Sequence, residues 1–300
     1  MMPPHVKAAL ARPTDQGDVQ QVVGDRESFV LRSAAWAGGA SDVGLRHAPN
    51  QDAIALAAGP ALDARPVAVA CVSDGVSTSP HSEDASALAV ETACSFLADR
   101  LRDAPDNFDL AGAIAEAFAR ANGRIIEAAG TAVVGTWACT LVVAVFWHGR
   151  VVIGNVGDSR CYWMPDFGEP KALSTDDSIA QAQIDLGVTR EVAEASSGAH
   201  AITKWLGPGA QVVQPSLSSM PVTEDGWLLT CSDGLWNYAS DPETMAEALR
   251  DAVATETKDD QDPTAWSVCC RLVDWANTLG GHDNIAVTLL RLKPAVDKAD

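Results

Sequence analysis

Four aspartates share one local context although the chain keeps them far apart. Asp52 follows Asn50-Gln51, Asp74 and Asp233 each precede a glycine, and Asp283 precedes Asn284. Residues 67–75 read V-A-V-A-C-V-S-D-G and residues 227–234 read W-L-L-T-C-S-D-G. A short, continuous apolar run ended by a turn-forming Gly has the pattern of a buried strand. Such a strand carries its terminal carboxylate to the rim of the core. One Asp-Gly alone is a turn, because both residues favour turns for local reasons. Its repetition after two similar apolar runs points to a shared site. Clustered carboxylates repel one another unless cations lie between them. An all-oxygen donor set suits hard divalent ions, Mg²⁺ or Mn²⁺. A glycine beside the carboxylate lets the Gly75 carbonyl approach such an ion. Paired ions a few ångströms apart lower the pKa of a shared water and hold the oxygens of a phosphoryl group. The sequence has no Ser-His-Asp order, no G-x-S-x-G elbow and no P-loop.

These carboxylates need a scaffold that gathers strand ends at one edge. A first strand is predicted over 28–38, then a loop over 41–52 that holds Arg46, His47 and Asn50, then a strand at 53–57 opened by Asp52. After Asp74-Gly75, Ser79 is placed to cap a helix. Pro80 suits its first turn, and Glu83 and Asp84 suit its positive end. That helix is expected to run to about Leu101, with Leu88, Thr92, Phe96 and Leu97 in one stripe. A second, over 108–129, repeats Leu110, Ile114, Phe118, Ala121 and Ile125 at helical spacing. Strands at 137–148 and 150–155 are joined by the hairpin turn His148-Gly149, with His148 read as solvated. V-G-D-S-R at 156–160 leads to a strand at 161–164. Residues 169–209 are polar and irregular, with a short helix near 191–195, and read as a flap. Strands at 211–214 and 226–231, a turn at Asp233-Gly234, helices opened by Asp241-Pro242 and Asp262-Pro263, and a strand at 284–292 complete the chain. Strands and helices therefore come in blocks, which argues for antiparallel sheets with helices outside them. The expected class is α+β, a four-layer α–β–β–α sandwich of two antiparallel sheets flanked by helices.

Length and composition bound the alternatives. No Pro/Gly/Ser-rich linker or internal repeat divides the 300 residues, so a single domain over 28–293 is expected, with a mobile arm at 1–27 and a tail at 294–300. The strongest apolar stretch, 139–147, is too short to span a bilayer, and the N-terminus lacks a signal-peptide apolar region. A cytoplasmic location follows as an expectation. The seven cysteines then read as reduced, buried small hydrophobes without C-x-x-C spacing. The net charge of −19 opposes nucleic acid as a partner, which needs a basic patch. An acidic chain that acts on phosphate needs local cations, either bound metals or a few placed Arg or His.

N-Q-D at Asn50, V-S-D-G at Val72, V-G-D-S-R at Val156, C-S-D-G-L-W at Cys231 and H-D-N-I-A-V at His282 occur in one order. In that order the chain resembles the protein phosphatase 2C-like, metal-dependent (PPM) serine/threonine phosphatase family of bacterial type, over roughly 34–292. The resemblance implies the α–β–β–α sandwich. It also implies hydrolysis of phosphoserine and phosphothreonine in proteins by attack of a metal-bridging water, with Mn²⁺ or Mg²⁺ as cofactor. By motif, Asp74 would bridge two metals and the Gly75 carbonyl would serve one of them. Asp233 and Asp283 would complete the other, and Asp52 would lie in the shell of the first pair. Asp158 matches a position that, with Asp233, holds a third, weaker metal. The implied partner is a phosphorylated Ser/Thr protein, itself the substrate of a partner kinase.

Three departures from the family pattern stand in the chain. His47 occupies the usual arginine position, with Arg46 one place earlier, so either Arg46 reaches the phosphate or His47 binds it when protonated. Gln51 replaces a common glutamate and brings no charge. After Asp74-Gly75 comes Val-Ser-Thr-Ser, with neither the His nor the Gly-Gly of relatives, so the leaving-group proton must come from solvent or another group. His47 and Gln51 also support a second reading, a phosphatase-fold binding or regulatory module with little or no turnover. A third reading, hydrolysis of a small phosphorylated metabolite, sits badly with the long polar flap.

Overall fold

The computed structural model describes residues 21–24, 27–62, 64–131, 136–211, 213–257 and 261–294. The expected arm at 1–27 and tail at 294–300 lie mostly outside them, but 21–24 form a strand rather than part of an arm. With strands numbered in chain order, one sheet runs β1 (Gln21–Gly24), β2 (Ser28–Ala34), β3 (Ala37–Asp42), β12 (Ile285–Leu292), β11 (Gly226–Cys231), β8 (Arg160–Pro165), β9 (Lys171–Ala172). The other runs β10 (Ser216–Pro221), β7 (Arg150–Val156), β6 (Leu141–Trp147), β5 (Pro66–Ser73), β4 (Ala53–Pro60). Every neighbouring pair is antiparallel.

Alternation along the strands builds three apolar layers. Val67, Val69 and Cys71 of β5 and Leu141, Val143 and Val145 of β6 face helices α1 (Ser82–Leu101) and α2 (Leu110–Ala129). Ala68, Ala70, Val72, Val142 and Ala144 on the same strands face the other sheet. In that sheet Ile285, Val287 and Leu289 of β12 face α6 (Pro242–Glu256) and α7 (Ala265–Thr278). Both faces of each central strand are thus covered, which is why these segments are apolar without interruption. A Val, Leu or Ile fully removed from water contributes about 1.5–3 kcal/mol, so the layers supply the main driving force. The sequence therefore specified the four-layer sandwich correctly.

Several local expectations differ, each for a physical reason. The strand expected over 28–38 is two strands, because the chain turns at Ala35-Trp36 without a turn-forming residue. Ser79 caps no helix: its Oγ accepts the Ala138 N–H at 3.1 Å, and α1 begins later behind His81, which holds a left-handed φ of 63°. The stripe buried on α1 is Ala89, Ala93, Cys94, Leu97 and their neighbours, with Leu88, Thr92 and Phe96 only half-buried. Residues 211–214 form no described strand, and β10 instead starts at Ser216, opposite Asn155. Thr264, not Asp262, caps α7 by accepting from the Ser267 N–H. The flap holds two short helices, α3 (Ile179–Asp185) and α4 (Arg190–Glu194). Asp233-Gly234 is not a turn but opens the short helix α5 (Asp233–Trp236) behind Ser232. The hairpin at His148-Gly149 is present, with φ of 50° and 70°. His148 is not solvated: its ring stacks on Trp147 at 3.8 Å and lies 3.5 Å from Asp106. No helix among the described residues is long and apolar enough to cross a membrane.

Candidate metal centre

Strand register brings the aspartates together in pairs. Ala53 of β4 lies opposite Ser73 of β5, so Asp52 and Asp74 are the next residues beyond a paired end. Cys231 of β11 lies opposite Val287 of β12, and the Ser232 N–H donates to the Ala286 carbonyl. Asp233 therefore falls beside the start of β12, where Asp283 stands. Crossing bonds tie the two pairs together. The Ser232 hydroxyl donates to Asp52 Oδ2 at 2.6 Å and accepts the Ala286 N–H at 2.9 Å. The Gln51 N–H donates to Asn284 Oδ1 at 2.8 Å. Asp74 is in side-chain hydrogen-bonding reach of both Asp52 and Asp233, and so stands in the middle of the group.

The repeated Asp-Gly has a steric cause. A Cβ at Gly75 would stand 2.7 Å from the Gln51 carbonyl oxygen, and one at Gly234 would stand 1.9 Å from the Asn284 carbonyl oxygen. Each missing side chain admits the backbone that carries the partner aspartate: Gly75 admits the neighbour of Asp52, and Gly234 the neighbour of Asp283. Glycine here serves close approach of backbone to backbone.

The electrostatics are those of like charges held together. Burial raises Asp52 well above its ordinary 3.8, and Asp233 and Asp283 raise it further against the Ser232 hydrogen bond. Asp74 is raised by burial, then by Asp52, Asp233, Asp158 and Asp283. Asp233 is pushed up to about 6, by burial first and then by Asp283, with His200 pulling the other way. Asp158 is raised by burial and by Asp233 and Asp176. No arginine or lysine among the described residues pairs with Asp52, Asp74 or Asp233. An all-oxygen set whose ionisation is opposed by its own members suits divalent cations, whose charge would reverse every one of these shifts. The carboxylates are strung out around Asp74 rather than drawn to one point. Among the described residues the trio whose ligand atoms all lie within 4.8 Å of one another is the surface group His81, Glu83 and Asp84 on the first turn of α1.

The remaining expected residues divide. Asp158 is buried at the end of β7, and its carbonyl accepts the Trp236 indole N–H at 2.9 Å. Thr140 binds it indirectly to Asp74, because its Oγ1 accepts the Asp74 N–H at 2.9 Å and lies 2.7 Å from Ser159 Oγ. His47 Nε2 lies 3.4 Å from Asp283 Oδ1, on the rim of the site. Arg46 is exposed and makes no hydrogen bond or ion pair with a described residue. The Gln51 amide donates to Ser82, so its side chain ties β4 to α1. Sequence reasoning missed Ser232, Thr140 and Asn284. Ser232 and Asn284 adjoin motif aspartates in apolar surroundings, and a buried hydroxyl or amide must find a partner. That signal was available for both, but their partners were not.

Comparison with known proteins agrees with this arrangement. The family profile described as Protein phosphatase 2C matches residues 45–275. The serine/threonine phosphatase stp of Listeria innocua is 31% identical over 152 residues, covering 50% of this chain and 55% of that protein. The chain thus spans about half the length of this relative. Among solved structures, the serine/threonine phosphatase PstP/Ppp of Mycobacterium tuberculosis superposes with a TM-score of 0.67 at 28% identity, covering 88% of this chain and 99% of that one. A structure of the catalytic domain of PstP in complex with two manganese ions superposes with a TM-score of 0.65 at 28% identity, covering 87% and 98%. With the profile matching well over half of its residues and the motif aspartates converging at one edge of the expected sandwich, the chain belongs to the protein phosphatase 2C family.

Proposed function

We propose that the protein is a metal-dependent serine/threonine phosphatase that hydrolyses phosphoserine and phosphothreonine in proteins. The observation that carries this reading is Asp74, half-buried and placed in reach of both Asp52 and Asp233 inside a group of carboxylates that, among the described residues, lacks a paired arginine or lysine. Asp74, Asp233 and Asp283, with the Gly75 carbonyl and Asp52 behind them, are the residues that would hold Mn²⁺ or Mg²⁺, and Asp158 with Asp233 would hold a further, weaker ion. The ions, when bound, supply charge that activates a water and screens the phosphoryl oxygens. The chain's own part is to hold the carboxylates in fixed positions. Ser232 orients Asp52, Thr140 orients the backbone of Asp74, and Asn284 ties the β4 and β12 ends together. Arg46 and His47, on the same rim, are the groups available to the phosphate, and the contact of His47 with Asp283 turns it toward the site. The relatives named as serine/threonine phosphatases support the substrate class, and PstP with manganese supports the cofactor.

The finer parts of the reading are a partner kinase that makes the phosphoprotein, a cytoplasmic location, and a single phosphatase domain over 28–293 with its flap at 169–209. Turnover of p-nitrophenyl phosphate and of a phosphothreonine peptide tests the central claim, with Mn²⁺ present and after chelation. Asp74→Ala is expected to lower kcat/KM about a thousandfold. Turnover that persists after chelation, or in Asp74→Ala, would sink the metal-dependent reading. Mn²⁺ binding without turnover would favour the binding module.

A further inference from the structure

The flap cannot hold itself in place. Its internal core is only Ala180, Ala193 and Ala199, with Ile184 and Val188 packed against them. Its base is pinned by Asp177, whose N–H donates to the Gly157 carbonyl at 2.8 Å and whose Oδ2 accepts the Gly157 N–H at 3.1 Å. Lys204, at the flap exit, reaches Asp177 Oδ1 at 2.6 Å. These contacts fix where the flap leaves the sandwich but not how its helices lie.

Arg160 does that. It opens β8, two residues beyond Asp158, and is 5% exposed. Its Nε and Nη2 grip Asp176 at the flap entry at 2.7–3.1 Å, and Nη2 also reaches Glu194 of α4 at 3.3 Å. Nη1 donates to the Ser240 carbonyl at 2.9 Å. The Ser240 hydroxyl donates to Glu194 at 2.6 Å, and Arg190 pairs with Glu194 at 2.9 Å. The guanidinium lies 3.6 Å from the centre of the Trp236 ring. Trp236 in turn stands one helical turn after Asp233 and donates its indole N–H to Asp158. His200, which follows α4 in the flap, has its ring 5.9 Å from that of Trp236. One planar cation therefore joins α4, the Asp158 loop and the indole that carries His200.

We propose that Arg160 is the positioning residue of the flap: it ties α4 to the 156–160 loop and so sets His200 against Trp236 as a fixed wall that a phosphorylated protein must meet. This rests on the proposed phosphatase reading. A small phosphate ester needs only the carboxylate rim, whereas a peptide reaches beyond it to the flap. Lysine cannot replace Arg160, because it lacks the planar fork that binds Asp176 and stacks on Trp236.

The test uses the full chain loaded with Mn²⁺. In Arg160→Lys, limited proteolysis within 185–200 is expected to run about tenfold faster, since cleavage follows the open population of a segment. The KM for a phosphothreonine peptide is expected to rise about tenfold more than that for p-nitrophenyl phosphate. His200→Ala should raise the peptide KM without speeding flap proteolysis. Glu194→Gln, which removes one anchor and leaves the guanidinium, serves if Arg160→Lys does not fold, and should show a smaller effect of the same kind. Unchanged flap proteolysis in the folded variant overturns the proposal, and so does a KM that rises equally for both substrates. If the wild type turns over neither substrate, the phosphatase reading fails on its own, and the proteolysis arm still decides the role of Arg160.

Discussion

Two groups of buried and half-buried acids lie a few residues apart and solve the same problem in opposite ways. At the strand ends, Asp52, Asp74 and Asp233 are all raised, by burial first and then by neighbouring aspartates. Around Arg160, Asp176 is also raised by burial, but the guanidinium pulls it back. Burial would raise Glu194 too, yet the Ser240 hydroxyl, Arg190 and Arg160 bring it below its ordinary value. The second group carries its own cation and is complete. The first leaves the position of the cation to something outside the chain. A buried acid cluster without a counter-charge costs stability, and chains retain such clusters where the strain serves a function. The contrast between the two groups supports a metal site more strongly than the aspartates do alone.

The largest test of that contrast is a pair of neutralisations in the chelated protein, read by thermal melting. Asp176→Asn leaves Arg160 buried without its main partner and should cost about 3 kcal/mol. Asp74→Asn removes one of several repelling charges and should instead stabilise by about 1 kcal/mol. Equal signs would erase the distinction between the groups.

Next in size is Gly234→Ala. The added Cβ would press on the Asn284 carbonyl and part Asp233 from Asp283. Overpacking of this kind costs about 1–3 kcal/mol, and manganese affinity measured by calorimetry should fall with it. A variant as stable and as tightly binding as the wild type would show that the glycine is incidental.

The pH dependence of the chelated protein sharpens the comparison further. Asp233 holds its proton up to about pH 6 when folded, against 3.8 as its ordinary value. The folded chain therefore binds more protons than the unfolded chain between those values. The contribution of Asp233 is greatest below 3.8 and is lost as pH rises through about 6. Chelated protein should lose up to about 3 kcal/mol over that window, less to the extent that solvent reaches Asp233, and saturating Mn²⁺ should abolish the loss. A flat profile for the chelated protein would mean that the cluster is not strained.

The smallest expected effect is at the rim. His47→Arg introduces the family's usual guanidinium and should lower the KM for p-nitrophenyl phosphate about threefold. No change in KM or in the pH profile would show that position 47 does not face the phosphate.

Much of this was legible before any coordinates. The apolar run at 67–73 and its counterpart at 227–231 are continuous because both faces are covered, and that continuity marks them as central strands. The aspartates were legible because each interrupts such a run. The helix expected near 191–195 is α4, but the flap's first helix, α3, was not legible, because Ala180 is its one buried residue and leaves no apolar period to detect. Ser79 looked like a cap and is not, because a backbone N–H from residue 138 claims its hydroxyl first. Asp233-Gly234 looked like a turn and is the first turn of a helix, because the chemistry of Asp and Gly serves both.

The local pattern by itself determined which segments are strands, which residue types end them, and that the carboxylates belong to one class of site. Those are matters of period, composition and the cost of burying charge, and they are written along the chain. Only the tertiary structure decided that Gly75 and Gly234 admit a neighbouring backbone, that Ser232 reaches Asp52, and that Arg160 grips Asp176 at the flap entry. Each of these depends on a partner more than a dozen residues away. Partners at that distance are selected by how the layers pack, and packing is a property of the whole chain.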